Sequence, residues 1–344
     1  MNDAQAKELC LALMRADSED DAVRLLSDAG YWEMQAYWRY YGDRETNFNS
    51  AGNQQAKPDS ALIEKIINSV DARLMNECLV RGIDPAGHAA PQTIRAAVAA
   101  YFEEPATAGK PHAGQMKYWS TDKRTEVARG VTLSATGSKP PGKPCFSIAD
   151  AGEGQTPEKM PDTLLSLDKS NKLRIPFVQG KFNMGGTGVL KFCGRRNLQL
   201  IVSRRNPAIL RNRFDHASDS QWGFTVVRRE DPGDGRRSSV YTYLAPLGVL
   251  ESKALPGHGG VLRFSSETMP IFPEGTNAYG REAGWGTLIK LYEYVATGFK
   301  SNILMRDGLL SRMDLLLPDV ALPLRLHECR PYGGHEGSFQ TTLS

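Results

Sequence analysis

The stretch ALIEKIINSVDARLMNECL, residues 61–79, constrains this chain more than any other. A helix turns once in 3.6 residues, so Glu64, Asn68 and Asp71, at i, i+4 and i+7, fall on one face. That face carries a carboxylate, a carboxamide and a second carboxylate, with the small Ala72 directly after them. Ile63, Ile67, Val70 and Leu74 form a separate apolar stripe, which predicts burial of the helix against a sheet. An ordinary amphipathic helix puts mixed, solvated charge beside its core stripe. A row of hydrogen-bonding side chains in that place points instead to a site. The competing reading is a surface helix with scattered polar residues, and motifs further along the chain bear on the choice.

With 344 residues the chain suffices for one large domain or two ordinary ones. It is 40% hydrophobic and 24% charged, the balance of a soluble globular protein. No apolar run reaches the length of a membrane span. The opening MNDAQAKELCLALMRADSEDD has no basic segment followed by an apolar one, so no signal peptide is read. Cys10, Cys78, Cys145, Cys193 and Cys329 are scattered and form no C-x-x-C pair. Neither a zinc site nor a disulfide framework is therefore indicated, and a reducing cytoplasm is the expected compartment. The net charge of +3 argues little. Arg204, Arg205, Arg211, Arg213, Arg228, Arg229, Arg236 and Arg237 cluster in sequence, with Asp215, Asp219, Glu230, Asp231 and Asp234 among them. A solvated mixed-charge face is expected there in preference to a nucleic-acid groove.

Residues 1–42 carry helix-period apolar positions in DAQAKELCLALMRA and DDAVRLLSDAGYWEMQAYWRYY. RETNFNSAGNQQAKPDS reads as a polar loop or linker, and Asp59 or Ser60 can cap the helix that comes next. PQTIRAAVAAYFEE predicts another helix. From about residue 129 the pattern changes to strands: GVTLSATG, CFSIADAG, LQLIVSR, WGFTVVRRE, SVYTYLAP, VLRFSS and GTLIKLYEY. A helix-like TPEKMPDTLLSL and a glycine-rich GKFNMGGTGVLKFCG interrupt them. Helices with many hairpin-like strands predict an α+β fold, a two-layer sandwich of a mostly antiparallel mixed sheet with helices on one face. The last residues look like the opening of a further strand, as if the chain were part of something longer.

Strand CFSIAD runs into Asp150-Ala151-Gly152-Glu153-Gly154. A carboxylate at a strand end can accept a hydrogen bond from an exocyclic amine, and Gly152 and Gly154 let backbone approach a flat ligand. The same residues also suit a plain tight turn. Gly180-Lys181-Phe182-Asn183-Met184-Gly185-Gly186-Thr187-Gly188 precedes a helix-like VLKFC, and backbone N–H groups there could nest phosphates. It lacks the G-K-[ST] of a P-loop and the parallel β-α-β setting of a dinucleotide fingerprint. Gly286-Thr287 opens the strand TLIKLYEY and offers a hydroxyl.

In this order the four elements resemble the GHKL ATPase superfamily, which includes the type II topoisomerase B subunit, the heat-shock chaperone, MutL, the MORC proteins and the sensor histidine kinases. The N-box helix, the D-x-G-x-G turn, the glycine-rich lid and the late G-T strand of that family look like Glu64–Ala72, Asp150–Gly154, Gly180–Gly188 and Gly286–Thr287. Asn183 departs from the family pattern, standing where a middle glycine is frequent. The resemblance implies a Bergerat-type ATP-binding domain over residues 56–297, a helical arm and linker over 1–55, and a following domain or extension from 298 to 344. It implies ATP and Mg²⁺ as ligands. Asn68 would hold the metal, and Glu64 would be the general base for the attacking water. Asp71 would support the polar network, and Asp150 would read adenine with Thr287 as helper. The Gly185, Gly186, Thr187 and Gly188 amides would cover the phosphates beside Lys181, with Gly152 and Gly154 shaping the base pocket. Glu64 favours a hydrolysing switch that closes a lid and dimerises. His88, His112 and His216 sit in loop-like contexts, which argues against a sensor kinase. The arm, with Trp32, Tyr37, Trp38, Tyr40 and Tyr41, would be either a dimer strap or a core-packing helix. By analogy alone, DNA processing or phage defence is the expected setting. The other classes kept open are a non-catalytic nucleotide-binding interaction module and a nucleic-acid binder using the arginine-rich stretch. No membrane partner is expected.

Overall fold

The computed structural model describes residues 1–48, 57–107, 109–139, 142–167, 172–180, 187–211, 215–232, 238–249, 259–295, 302–305, 308–317, 320–334 and 337–341. Its strands are β1 (Trp38–Tyr40), β2 (Val131–Gly137), β3 (Pro144–Asp150), β4 (Gln199–Arg204), β5 (Trp222–Glu230), β6 (Val240–Leu244), β7 (Leu262–Phe264), β8 (Met269–Glu274), β9 (Asn277–Ala283), β10 (Gly286–Leu291), β11 (Arg325–Glu328) and β12 (Phe339–Thr341). All but the β8–β9 hairpin join one sheet, in the order β1-β6-β5-β4-β10-β3-β2-β11-β12, with β7 beside β5. Its pairings are antiparallel except β11 with β2. The class is α+β, with a large, mostly antiparallel mixed sheet.

The helices are α1 (Asp3–Arg15), α2 (Glu19–Asp28), α3 (Pro58–Val80), α4 (Ile94–Phe102), α5 (Thr121–Ala128), α6 (Pro207–Leu210) and α7 (Leu309–Leu316). Strand side chains alternate between faces. On β10, Ile289 and Leu291 enter a front core with α3, whereas Leu288 and, just past the strand, Tyr292 enter a back core. The buried line of α3 is Leu62, Ile66, Val70 and Leu74, with Ile63 beside it. Ile67, expected in the stripe, is only half-buried, because the helix is rolled so that Lys65, Ser69 and Asp71 also turn inward. The helix begins at Pro58, ahead of the expected caps Asp59 and Ser60, since proline fits the first helical position without losing a hydrogen bond.

Helices lie on the back face as well. Leu9, Cys10 and Leu13 of α1 and Leu26 of α2 share a core with Leu200, Val202, Phe224, Leu288 and Tyr292. Polar ties fix the register. Lys290 Nζ donates to the Met14 carbonyl at 2.7 Å, and the Tyr292 hydroxyl to that of Leu13 at 2.7 Å. α2 stops at Asp28 where Gly30 takes φ +76°, and Trp38 then pairs on β6 as part of β1. At the other end of the chain Ile303, Leu309, Leu310 and Met313 enter the front core, and β11 extends the sheet beyond β2. One sheet thus draws strands or packing from residues 1–48, 57–295 and 302–341 alike. The five cysteines are free. Among the described residues no helix is long and apolar enough to cross a membrane.

Candidate functional site

The front-face side chains of β3 are Phe146, Ile148 and, at the strand end, Asp150. Antiparallel pairing sets Thr287 of β10 opposite Asp150, and Ser203 of β4 opposite Thr287. Three polar groups therefore line up across adjacent strand ends, and the Ser203 and Thr287 hydroxyls share a hydrogen bond of 2.9 Å. The turn after β3 is tied to the second half of α3. Glu153 N–H donates to the Ala72 carbonyl at 3.2 Å, and Arg73 to the Ala151 carbonyl at 3.0 Å. Arg205 pairs with Glu153 at 2.7 Å, and Asn206 reaches Asn76 at 2.7 Å. Two glycines make the approach possible. A Cβ on Gly152 would lie 2.5 Å from that of Ala72, and Gly154 has φ +60° with the Arg204 carbonyl where a Cβ would go.

Between α3 and these strand ends lies a cavity of about 490 Å³. Asn68, Ser69, Asp150, Gly154 and Thr287 line it, over an apolar wall that includes Ile175 and Ile289. Burial pushes the Asp150 carboxyl up to about 7, although Ser69, the Gly152 amide, Arg73 and Lys172 pull it back. Asp150 accepts a hydrogen bond from Gly152 N–H at 3.0 Å. Lys65, Lys159, Lys172 and Arg205 add positive charge to the lining. Burial lowers the Lys65 amine to about 8, against the raising influence of Cys193 and Glu64.

Asp71 does a different job from the cavity residues. It is buried and accepts hydrogen bonds from Gln179 N–H at 3.0 Å and Gly180 N–H at 2.7 Å. Burial raises its carboxyl, with Lys172 and those two amides opposing. Gly180 also sits against Asn68, whose Oδ1 lies 2.4 Å from where a Cβ would be. The start of the glycine-rich segment is thereby clamped to the polar face of α3. Asn68 makes no hydrogen bond to a described residue, which leaves its carboxamide for a ligand.

No protein-family model matches the chain, and a search of curated proteins finds no match. The site stands on its geometry.

Of the residues singled out in the sequence, Asn68, Asp150, Gly154 and Thr287 line one cavity, Gly152 shapes its edge and Asp71 braces its flank. Glu64, half-buried one turn before Asn68 and electrostatically beside Lys65, is not among the lining residues. Thr187 and Gly188 are buried and do not line it. Lys181, Gly185 and Gly186 lie outside the described residues. Sequence reasoning missed Lys65, Ser69, Ser203 and the loop lysines Lys159 and Lys172. Ser203 was legible as the last inward residue of LQLIVSR; the loop lysines carry no periodic signal. The arginine-rich stretch is largely spent on structure. Arg204 donates to the Ser220, Ser266, Glu267 and Gly284 carbonyls, and Arg228 lies between Trp32 and Trp38 at 4.6 and 3.7 Å. Arg213, Arg236 and Arg237 are outside the described residues.

The lining thus offers a buried acceptor at Asp150, a carboxamide at Asn68 and basic side chains at Lys65, Lys159, Lys172 and Arg205, beside the acids Glu153, Asp215 and Asp219.

Proposed function

We propose that the cavity binds ATP with Mg²⁺ and that the chain is a GHKL-type ATPase whose nucleotide cycle drives a lid and dimerisation switch acting on DNA or a partner protein. One observation carries the reading. Asp150, a buried strand-end carboxylate with no ion pair among the described residues, opens into the same cavity as the unengaged Asn68 carboxamide. Buried carboxylates held near neutrality are frequent at ligand sites. The donor set fits magnesium. Mg²⁺ at a nucleotide keeps few protein ligands, and Asn68 offers one side-chain oxygen in the cavity. Asn68 would hold it, and the ion would neutralise phosphate charge. Asp150 would accept from the adenine amine, with Thr287 supplying a hydroxyl to the ring edge and Ser203 orienting that hydroxyl from behind. Lys172 would attract the phosphates, and Glu64 would orient the attacking water.

Thermal melting with ATP, ADP or GTP and Mg²⁺ tests the binding. ATP and ADP are expected to raise the melting temperature, GTP not, and Asp150→Asn to remove the effect. No shift with any adenine nucleotide would sink the proposal. Phosphate release lost in Glu64→Ala, with nucleotide binding retained, tests hydrolysis. The absence of Glu64 from the lining supports a second reading, a nucleotide-binding interaction module without turnover. It predicts the same melting shifts and no phosphate release that depends on Glu64.

A further inference from the structure

On the back face, away from the cavity, three arginines gather where β2 meets the β8–β9 hairpin. β2 and β11 run parallel, with Arg325 beside Thr132 and His327 beside Ser134. Their neighbours Leu133 and Leu326 enter the front core, so Thr132, Arg325 and His327 point to the back. Arg281 reaches across from β9. Its guanidinium lies 4.1 Å from the Phe272 ring and donates to the Arg129 carbonyl at 2.7 Å. Arg325 lies 4.0 Å over Phe339, and the His327 ring stacks on the same phenyl at 5.1 Å and 8°.

This group is polar without being satisfied. Thr132 Oγ1, Arg325 Nε and both ring nitrogens of His327 are buried and have no hydrogen-bond partner among the described residues. His327 is only 2% exposed. Arg281 and Arg325 give their hydrogen bonds to backbone carbonyls, of Arg129 and Thr125. Burial, then Arg129 and Arg325, lower the Arg281 guanidinium to about 10, with Glu274 of the hairpin opposing. Burial, then Arg325 and Arg281, hold the His327 ring down at about 4, so it is neutral near pH 7. Orphaned buried donors and crowded like charges both cost stability unless something joins them.

We propose that this notch between β2, β11 and the β8–β9 hairpin binds a phosphate-class oxyanion, held by Arg129, Arg281 and Arg325 with His327 and Thr132 as neutral donors. A tetrahedral oxyanion presents enough acceptors for guanidinium forks on different sides, which a single carboxylate does not. Arg129 is exposed and Phe339, on the edge strand β12, is half open to solvent, so the group borders solvent at the sheet edge. The site is separate from the front cavity and does not rest on its nucleotide reading.

The test is calorimetric titration of the whole chain at low salt and near neutral pH, with inorganic phosphate and, separately, a thymidine dodecamer. Histidine-selective NMR reads the His327 ring alongside. Saturable binding is expected, with a shift of the His327 signals. Arg281→Gln should weaken it at least about tenfold, the loss of one charge-assisted hydrogen bond. Arg129→Gln, at an exposed position, gives the same reading should Arg281→Gln fail to fold. Lys172→Gln, which alters the front cavity, should leave the arginine-dependent part of the binding and the His327 shift unchanged. If the oligonucleotide binds and loses affinity through the same arginine substitutions, the oxyanion is a nucleic-acid phosphodiester. If inorganic phosphate alone does so, it is a free or terminal phosphate. No saturable binding of either probe overturns the proposal. So does binding that Lys172→Gln removes and both arginine substitutions leave intact.

Discussion

Asp150 shows what one side chain contributes at this site. Its folded-state acidity lies at about 7 against an ordinary 3.8. Below pH 3.8 both folded and unfolded chains keep the proton. Between these values only the unfolded chain releases it, so rising pH favours unfolding, and above 7 the penalty is constant. The gap corresponds to on the order of 4 kcal/mol. Wild type should therefore lose stability between pH 4 and 7, whereas Asp150→Asn, which keeps the Gly152 contact but cannot ionise, should show a flatter curve. Thermal melts of both across that range decide it, and parallel curves would show that Asp150 does not govern the loss. A ligand amine at Asp150 favours the carboxylate, so binding near pH 7 should also release protons. At this scale the sequence was readable where spacing alone brings groups together. Asn68 follows from helix period, and Asp150 and Thr287 from strand ends. Lys65 was not readable, because its inward position depends on how far α3 is rolled against the sheet.

Elements were legible where periodicity was strong and no proline or glycine interrupted it. The strands from GVTLSATG to GTLIKLYEY lie within a few residues of their expected positions. TPEKMPDTLLSL, with Pro157 and Pro161, forms turns and one short 3-10 stretch at Met160–Asp162 in place of a helix. The β8–β9 hairpin was missed because Pro270 and Pro273 disfavour a strand, which a two-stranded ribbon with open edges tolerates. α5 was missed because its polar sequence hides its start, which the Ser120 hydroxyl caps. What no pattern reveals is how α2 attaches. Glu19, in its first turn, accepts hydrogen bonds from Arg195 N–H at 2.7 Å, Arg196 N–H at 2.8 Å and Leu198 N–H at 3.0 Å. A buried carboxylate thus gathers the backbone donors leading into β4. Removing it strands those donors, and Glu19→Ala should cost roughly 3 kcal/mol, as charge-assisted hydrogen bonds of this kind do. Glu19→Gln, which keeps one acceptor oxygen, should cost less. Urea unfolding gives both values, and an alanine variant within about 0.5 kcal/mol of wild type, the usual range of a surface change, would show that the contact is incidental.

For the whole molecule the question is whether residues 1–30 are an appendage or part of the body. The polar run RETNFNSAGNQQAKPDS stands between them and the motif helix, and a swapped strap would leave the motif-bearing segment intact without them. Packing argues for the body. Leu13, Met14, Cys10 and Leu26 are fully buried against the back of the sheet, and the Lys290 ammonium, itself inaccessible, donates to the Met14 carbonyl. Burying such side chains is worth about 1.5–3 kcal/mol each, so together they approach the ~5–15 kcal/mol net stability of an ordinary domain. Deletion would also open Leu200, Val202, Phe224 and Leu288 to water and take the Met14 carbonyl away from a buried lysine. A chain starting at residue 31 should therefore fail to melt cooperatively and should bind a hydrophobic dye. Leu13→Ala, a milder form of the same test, should cost about 2–5 kcal/mol. It should also move the fluorescence and circular dichroism transitions together, since front and back cores share one sheet. A truncated chain that melts cooperatively near the wild-type temperature would return these helices to the status of an arm, and the two-faced sheet would no longer be the folding unit.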